Sequence, residues 1–137
     1  MTFEELEHTA DVRMKITAPT FSDLLSESGF ALSATLYGAY PREMPAASFP
    51  LAAEGKDLSE LLVNFLSELL FLMETEYLVP QTITAEVSGD AVSGTVAGVA
   101  FSREKHSGGI GVKGISYSGL SLRQTSAGYE LIIIFDI

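Results

Sequence analysis

The stretch between Leu58 and Glu76 constrains this chain more than any other. Leu58, Leu61, Leu62, Phe65, Leu66, Leu69, Leu70 and Met73 recur there at three- and four-residue spacing, which rolls them onto one broad face of a helix. Asp57 followed by Glu60 supplies the start, because a side-chain oxygen ahead of the first turn accepts one of its unpaired N–H groups. A face this wide must be covered by other elements, so the spacing predicts a central core helix. A second helix is predicted over Phe21 to Tyr37. Thr20 and Asp23 stand at its start and Gly38 and Pro41 behind it, with Phe21, Leu24, Leu25, Leu32 and Leu36 near helical spacing.

Around these helices the pattern changes to a period of two. Phe3 to His8 reads as a short strand. Val12, Met14 and Ile16 alternate with Arg13, Lys15 and Thr17, and Pro19 ends the run. Ala47 to Glu54 is the next strand. After the core helix, Ile83, Ala85 and Val87 alternate with Thr82, Thr84 and Glu86, and Gly89-Asp90 makes a turn into a strand from Ala91 to Phe101. Ser107 to Gly111 reads as a mobile loop, followed by two weaker strands, Val112 to Tyr117 and Leu120 to Thr125. The run YELIIIF over Tyr129 to Phe135 lacks polar alternation after Glu130, which predicts a central strand covered on both faces. The order predicts an α+β fold over residues 1–137, a single domain with a β-sheet and two main helices.

Composition removes whole classes of function. There is no cysteine, hence no disulfide framework, thiolate metal site or cysteine nucleophile. The longest apolar stretch, around Leu61 to Met73, is interrupted by Asn64, Ser67 and Glu68 and is too short to span a bilayer. The start MTFEELEHTAD has neither a basic nor an apolar leader region, so a cytoplasmic protein with no membrane partner is expected. A formal net charge of −10 disfavours tight direct binding of nucleic acid. The charge is uneven: 13 of the 18 acids lie within residues 1–76. An anion would therefore meet the later half, with Arg103, Lys105, Lys113 and Arg123. No Walker A loop, nucleophile elbow or HExxH occurs. Gly108-Gly109-Ile110-Gly111 has no Lys-Ser or Lys-Thr behind it. No nucleophile or general base can be named, so the chain is not expected to be an enzyme.

Three polar features stand beside apolar strands: His8-Thr9-Ala10-Asp11, Asp136 with Ile137, and Lys113 within VKGISYSG. A carboxylate where an apolar strand emerges is solvated, paired or metal-bound. If Asp11 and Asp136 converge, they offer hard oxygen ligands, with the α-carboxylate of Ile137 as a further donor. Such a set suits Ca²⁺, Mg²⁺ or Mn²⁺, whereas two histidines, His8 and His106, and no thiolate argue against structural zinc. Each residue also has a plainer reading: Asp136 as a solvated strand end, Asp11 as a turn or cap, His8 as a hydrogen-bonding core-edge residue, and Lys113 as a surface charge.

Taken in order, FEELEHTADVRMKITA, DLSELLVNFLSELLFLMETE, VKGISYSGL and YELIIIFDI resemble the archease family nearly end to end. The resemblance implies an accessory protein of the RtcB-type RNA ligase in tRNA splicing and RNA repair. Such a protein promotes guanylylation and multiple turnover of the ligase, which uses GTP and Mn²⁺. The ligase is then the partner, and RNA is met only through it. The fold implied is one strand–helix–strand–strand (SHS2-like) module nested in another. By the same resemblance Asp11 and Asp136 match the family's acidic metal positions and His8 belongs to the first motif. Lys113 matches the lysine of a KAxTYH-like segment, where it could neutralise a phosphate or nucleotide. Two positions depart: Ser118 stands where that segment has histidine, and Gly98-Val99 where a strand often ends Gly-Glu. The alternative is a general protein-binding or chaperone-like module for nucleic-acid-modifying enzymes.

Overall fold

Helix α2 forms over Leu58–Glu76. Its first turn is capped as the sequence demands: Asp57 Oδ1 accepts from the Glu60 N–H at 2.8 Å, while Glu60 Oε1 accepts from the Lys56 N–H at 3.2 Å. Helix α1 spans Phe21–Tyr37, and Thr20 Oγ1 accepts from the Asp23 N–H at 3.1 Å. This is a computed structural model, and it describes residues 1–6 and 11–137. The remaining elements are β1 (Thr2–Leu6), β2 (Asp11–Ala18), β3 (Ala47–Glu54), β4 (Leu78–Ser88), β5 (Ala91–Ala100), β6 (Gly114–Thr125) and β7 (Gly128–Asp136).

The expected α+β class with two helices is the architecture observed, and its strands are divided between two antiparallel sheets. One has the order β1-β2-β7-β6 and the other β3-β5-β4. The run β3-α2-β4-β5 is a complete strand–helix–strand–strand unit. It is inserted between α1 and β6 of a second such unit, β2-α1-β6-β7. Both units share one topology. In each, the last strand returns beside the first and the middle strand lies outside it. Strand β1 is an extra edge paired to β2.

Both helices pack against strands of both sheets. Leu24, Leu25 and Leu32 of α1 and Leu62, Phe65, Leu66 and Leu69 of α2 are fully buried. They form one apolar cluster with Ile16, Val79, Val96, Leu131, Ile133 and Phe135 from the strands. The buried hydroxyls of Ser33 and Thr35 are satisfied by the carbonyls one turn back, Gly29 O and Ala31 O, both at 2.9 Å.

Three expectations change. Strand β7 is central in its sheet, but it is covered on one face: Leu131, Ile133 and Phe135 are buried, while Ile132 and Ile134 lie half-buried on the outer face. Part of that cover comes from β6. Ser116 and Ser121 pair with Ile134 and Ile132, so the four residues 117–120 bulge out opposite Ile133 alone. Gly119, at φ +72°, stands close to the Ile134 side chain. The two weak strands read from the sequence are therefore one strand, β6, broken by this bulge.

The loop over Ser107 to Gly111, expected to be mobile, is docked on the end of α1. The Gly108 N–H donates to Tyr37 O at 3.1 Å and the Ile110 N–H to Thr35 O at 2.9 Å, which satisfies carbonyls the helix leaves open. The approach needs glycine at Gly38 and at Gly109, where a side-chain carbon would stand 2.4 Å from the Leu36 carbonyl. Gly38 has φ +75°, and a side-chain carbon there would stand 2.8 Å from the Gly108 Cα. Replacing Gly38 with Ala should cost about 1–3 kcal/mol of stability in chemical denaturation. It should also speed amide exchange at Gly108 and Ile110 while α2 stays protected; unchanged stability and exchange would contradict the docking.

Candidate functional site

The register of β2 on β7 brings the two singled-out aspartates together. Asp11 pairs directly with Asp136, Val12 with Phe135 and Arg13 with Ile134. Val12, Met14, Ile16 and Ala18 are buried on the inner face. Alternation therefore puts Asp11 on the outer face, and Asp136 joins it there beside Ile134 and Ile132. Side chains directly opposite in an antiparallel pair have Cβ atoms about 4.5–5.5 Å apart, so two half-buried carboxylates share one corner of the sheet. Gly114 of β6 completes the row opposite Asp136, and the Lys113 N–H donates to Asp136 O at 2.7 Å. The Lys113 residue is exposed at this corner, and Ile137 follows Asp136, also exposed. Asp11, Asp136, Ile137 and Lys113 are thus gathered in one place. His8 lies outside the described residues.

Like charges placed opposite each other destabilise a strand pair by a few tenths to about 1 kcal/mol. Among the described residues neither aspartate is in a close ion pair, although Arg13 follows two residues after Asp11 on the same face; the close ion pairs are Lys105 with Glu43 at 2.8 Å and Arg123 with Glu130 at 2.9 Å. Two carboxylates on an open strand end, with no larger cluster of His, Asp or Glu among the described residues, would leave most of a cation's shell to water or to a partner. That donor set fits a hard, hydrated divalent ion and not a closed structural zinc site.

The inner unit shows how local this chemistry is. Its equivalent corner pairs Ala47 with Gly98, followed by Val99, so no carboxylate stands there. Ser118 lies exposed within the β6 bulge, where its N–H meets Ser116 Oγ at 3.0 Å.

Sequence reading missed a second polar group, which fixes the loop that leads to Lys113. His106 is 1% exposed and stands among the rings of Tyr37, Tyr40 and Phe101, with centroids 5.7–6.2 Å away. Its Nδ1 accepts from the Ser102 N–H at 2.8 Å, and its Nε2 is directed at Glu43 Oε2, 3.6 Å away. Glu43 Oε1 accepts from Lys105 Nζ at 2.8 Å, which holds the Glu43 carboxyl below the usual carboxylate range. Nothing in the spacing of Glu43, Lys105 and His106 announces this cluster.

These features define an α+β protein of two nested strand–helix–strand–strand units, with a carboxylate pair where the outer unit closes. The Archease protein family (MTH1598/TM1083) matches residues 3–137, and the chain belongs to that family. It is 34% identical over 147 residues to a protein archease-like of Drosophila melanogaster, covering 100% of this chain and 91% of that one. It is 27% identical to a protein archease of Methanosarcina acetivorans, covering 98% and 95%. Among solved structures, the solution structure of Methanobacterium thermoautotrophicum protein 1598 superposes with a TM-score of 0.79 at 20% identity, covering 98% of each chain. The crystal structure of an archease from Thermotoga maritima, described as a possible chaperone, gives 0.66 at 17%, covering 98% and 96%. At those identities the solved structures speak for the fold.

If the carboxylate pair is a cation site, Asp11→Asn should act in two opposite ways. With chelator present, the variant should be as stable as the parent or more so by up to about 1 kcal/mol, since a like-charge pair is gone. With millimolar Mn²⁺, the parent's Tm should rise and the variant's should not. A parent indifferent to Mn²⁺, or a variant that keeps the rise, would contradict the assignment.

Proposed function

We propose that this protein is an accessory activator of an RtcB-type RNA ligase and not itself an enzyme. Asp11 and Asp136 would hold a divalent cation (Ca²⁺, Mg²⁺ or Mn²⁺) that meets the ligase. Membership of the archease family supports the reading. The observation that carries it is the direct pairing of Asp11 with Asp136 on the outer face of the sheet. A bound cation would supply positive charge for phosphate oxygens. The chain's own part is to place two carboxylates side by side on a rigid strand pair and to set Lys113 beside them. Lysine there offers a compact point charge for a phosphate, and its backbone is fixed by the bond to Asp136 O. GTP stays with the ligase, and RNA is met through it, in keeping with a surface of net charge −10.

A second reading is a chaperone-like module that binds several nucleic-acid-modifying enzymes. The description of the Thermotoga maritima archease as a possible chaperone and the exposed side chains of Phe71, Tyr77, Phe101 and Ile110 favour it. Affinity capture separates the two: one dominant ligase supports the first reading and a broad set of clients the second.

The direct test is ligation under multiple turnover with the cognate ligase. Adding this protein should raise turnover at least tenfold. Asp11→Ala and Asp136→Ala should remove the gain while circular dichroism stays unchanged, and Lys113→Ala should reduce it. Turnover indifferent to the wild-type protein, or fully supported by both aspartate variants, would end the proposal.

A further inference from the structure

A second surface lies where both helices end, and the carboxylate corner does not use it. Beyond the last turns of α1 and α2, the loop from Phe101 to Gly111 leaves an open trough of about 470 Å³, within the range of about 300–1,000 Å³ typical of binding clefts. Tyr37 and Met73, both buried, line it, with Phe101, Tyr77 and Ile110 along its sides and Glu74 at one edge. Three of these are large apolar residues left open: Tyr77 is 69% exposed, Ile110 46% and Phe101 42%. Phe71, 61% exposed one turn before Glu74, extends the apolar surface along α2.

The electrostatics of this end select the occupant. Neither helix carries a basic residue in its last turn, and α2 ends on Glu74 and Glu76. Acids at a helix C-terminus add to the partial negative charge of the open carbonyls, where cations are favoured. The loop brings no net compensation, because Lys105 is held by Glu43 and Arg103 is followed by Glu104. Burial above all, with smaller contributions from Tyr40 and Glu74, pushes the Tyr37 hydroxyl up to about 12. An apolar trough with a negative edge suits an apolar anchor next to positive charge. The apolar surface also runs past the trough toward Phe71, further than one small molecule would cover.

We propose that this trough docks a segment of a partner protein in which an aromatic or large aliphatic side chain is flanked by Lys or Arg. The anchor seats against Met73, Phe101 and Ile110, and the flanking cations meet Glu74 and Glu76. The Lys105–Glu43 ion pair and the bonds of the Gly108 and Ile110 N–H groups to the α1 carbonyls hold the loop wall in place, so the site is largely formed before binding. Docking here needs no cation at Asp11 and Asp136.

The test uses three synthetic twelve-residue peptides on the full chain, with binding read from the methyl NMR signals of Ile110 and Met73. One peptide carries a central Phe among Lys and Arg, one the same Phe among Asp and Glu, and one Ser in place of Phe among Lys and Arg. The first should shift both signals saturably at sub-millimolar concentration, and the other two should bind at least tenfold more weakly. A Glu74→Lys, Glu76→Lys double variant should lose at least tenfold in affinity for the first peptide, with its remaining methyl spectrum unchanged. An Asp11→Ala, Asp136→Ala variant should bind as the parent does, which separates failure of this docking site from failure of the cation site. Equal binding of all three peptides, no saturable shift at Ile110 and Met73, or indifference to the charge reversal would overturn the proposal.

Discussion

The pairing of β2 with β7 is the constraint from which the site follows. In each of the two nested units the last strand comes back antiparallel beside the first, so the opening residue of one faces a residue at or near the end of the other. In the inner unit that closure sets Ala47 opposite Gly98. In the outer unit it sets Asp11 opposite Asp136. One topology used twice thus yields one neutral corner and one with two carboxylates. The second arrangement lowers stability unless a positive charge joins it. This pair, on a half-buried strand end, is the feature on which the proposed cation site rests.

The connection between the two sheets leads into that corner. From β5 the chain passes into the loop that begins at Phe101, lays Gly108 and Ile110 on the open carbonyls of α1, and enters the first sheet beside Asp136 through the Lys113 N–H. The same loop walls the trough at the helix ends. Tyr37, whose hydroxyl donates to Leu78 O at 2.8 Å, and Tyr40, which donates to Pro80 O at 2.6 Å, fasten the end of α1 to β4. Helix ends that would otherwise expose unpaired carbonyls are thereby tied to both sheets.

Much of this was legible in the residues. The limits of α1, β3 and α2 follow from local rules: a side-chain cap at each helix start, glycine and proline behind α1, and a clear change of period. The β6 bulge was not legible, because a break in strand periodicity looks the same whether one strand buckles or two strands meet. The four isoleucine and leucine residues of β7 suggested burial on both faces; the outer pair, Ile132 and Ile134, is instead half-covered opposite Lys15 and Arg13. The juxtaposition of Asp11 and Asp136 depends on register between strands at opposite ends of the numbering. Local pattern singled out both carboxylates where apolar strands emerge, but it cannot supply the register that sets them opposite each other. Glu43 and His106 meet for tertiary reasons that leave no trace in spacing.

The most direct measurement is paramagnetic line broadening by substoichiometric Mn²⁺ in the amide spectrum of the isolated protein. Broadening should be confined to the amides of Asp11, Val12, Lys113, Gly114, Phe135 and Asp136. Broadening centred on the acidic end of α2 at Glu74 and Glu76, or spread evenly over the surface, would contradict a cation held between the two aspartates.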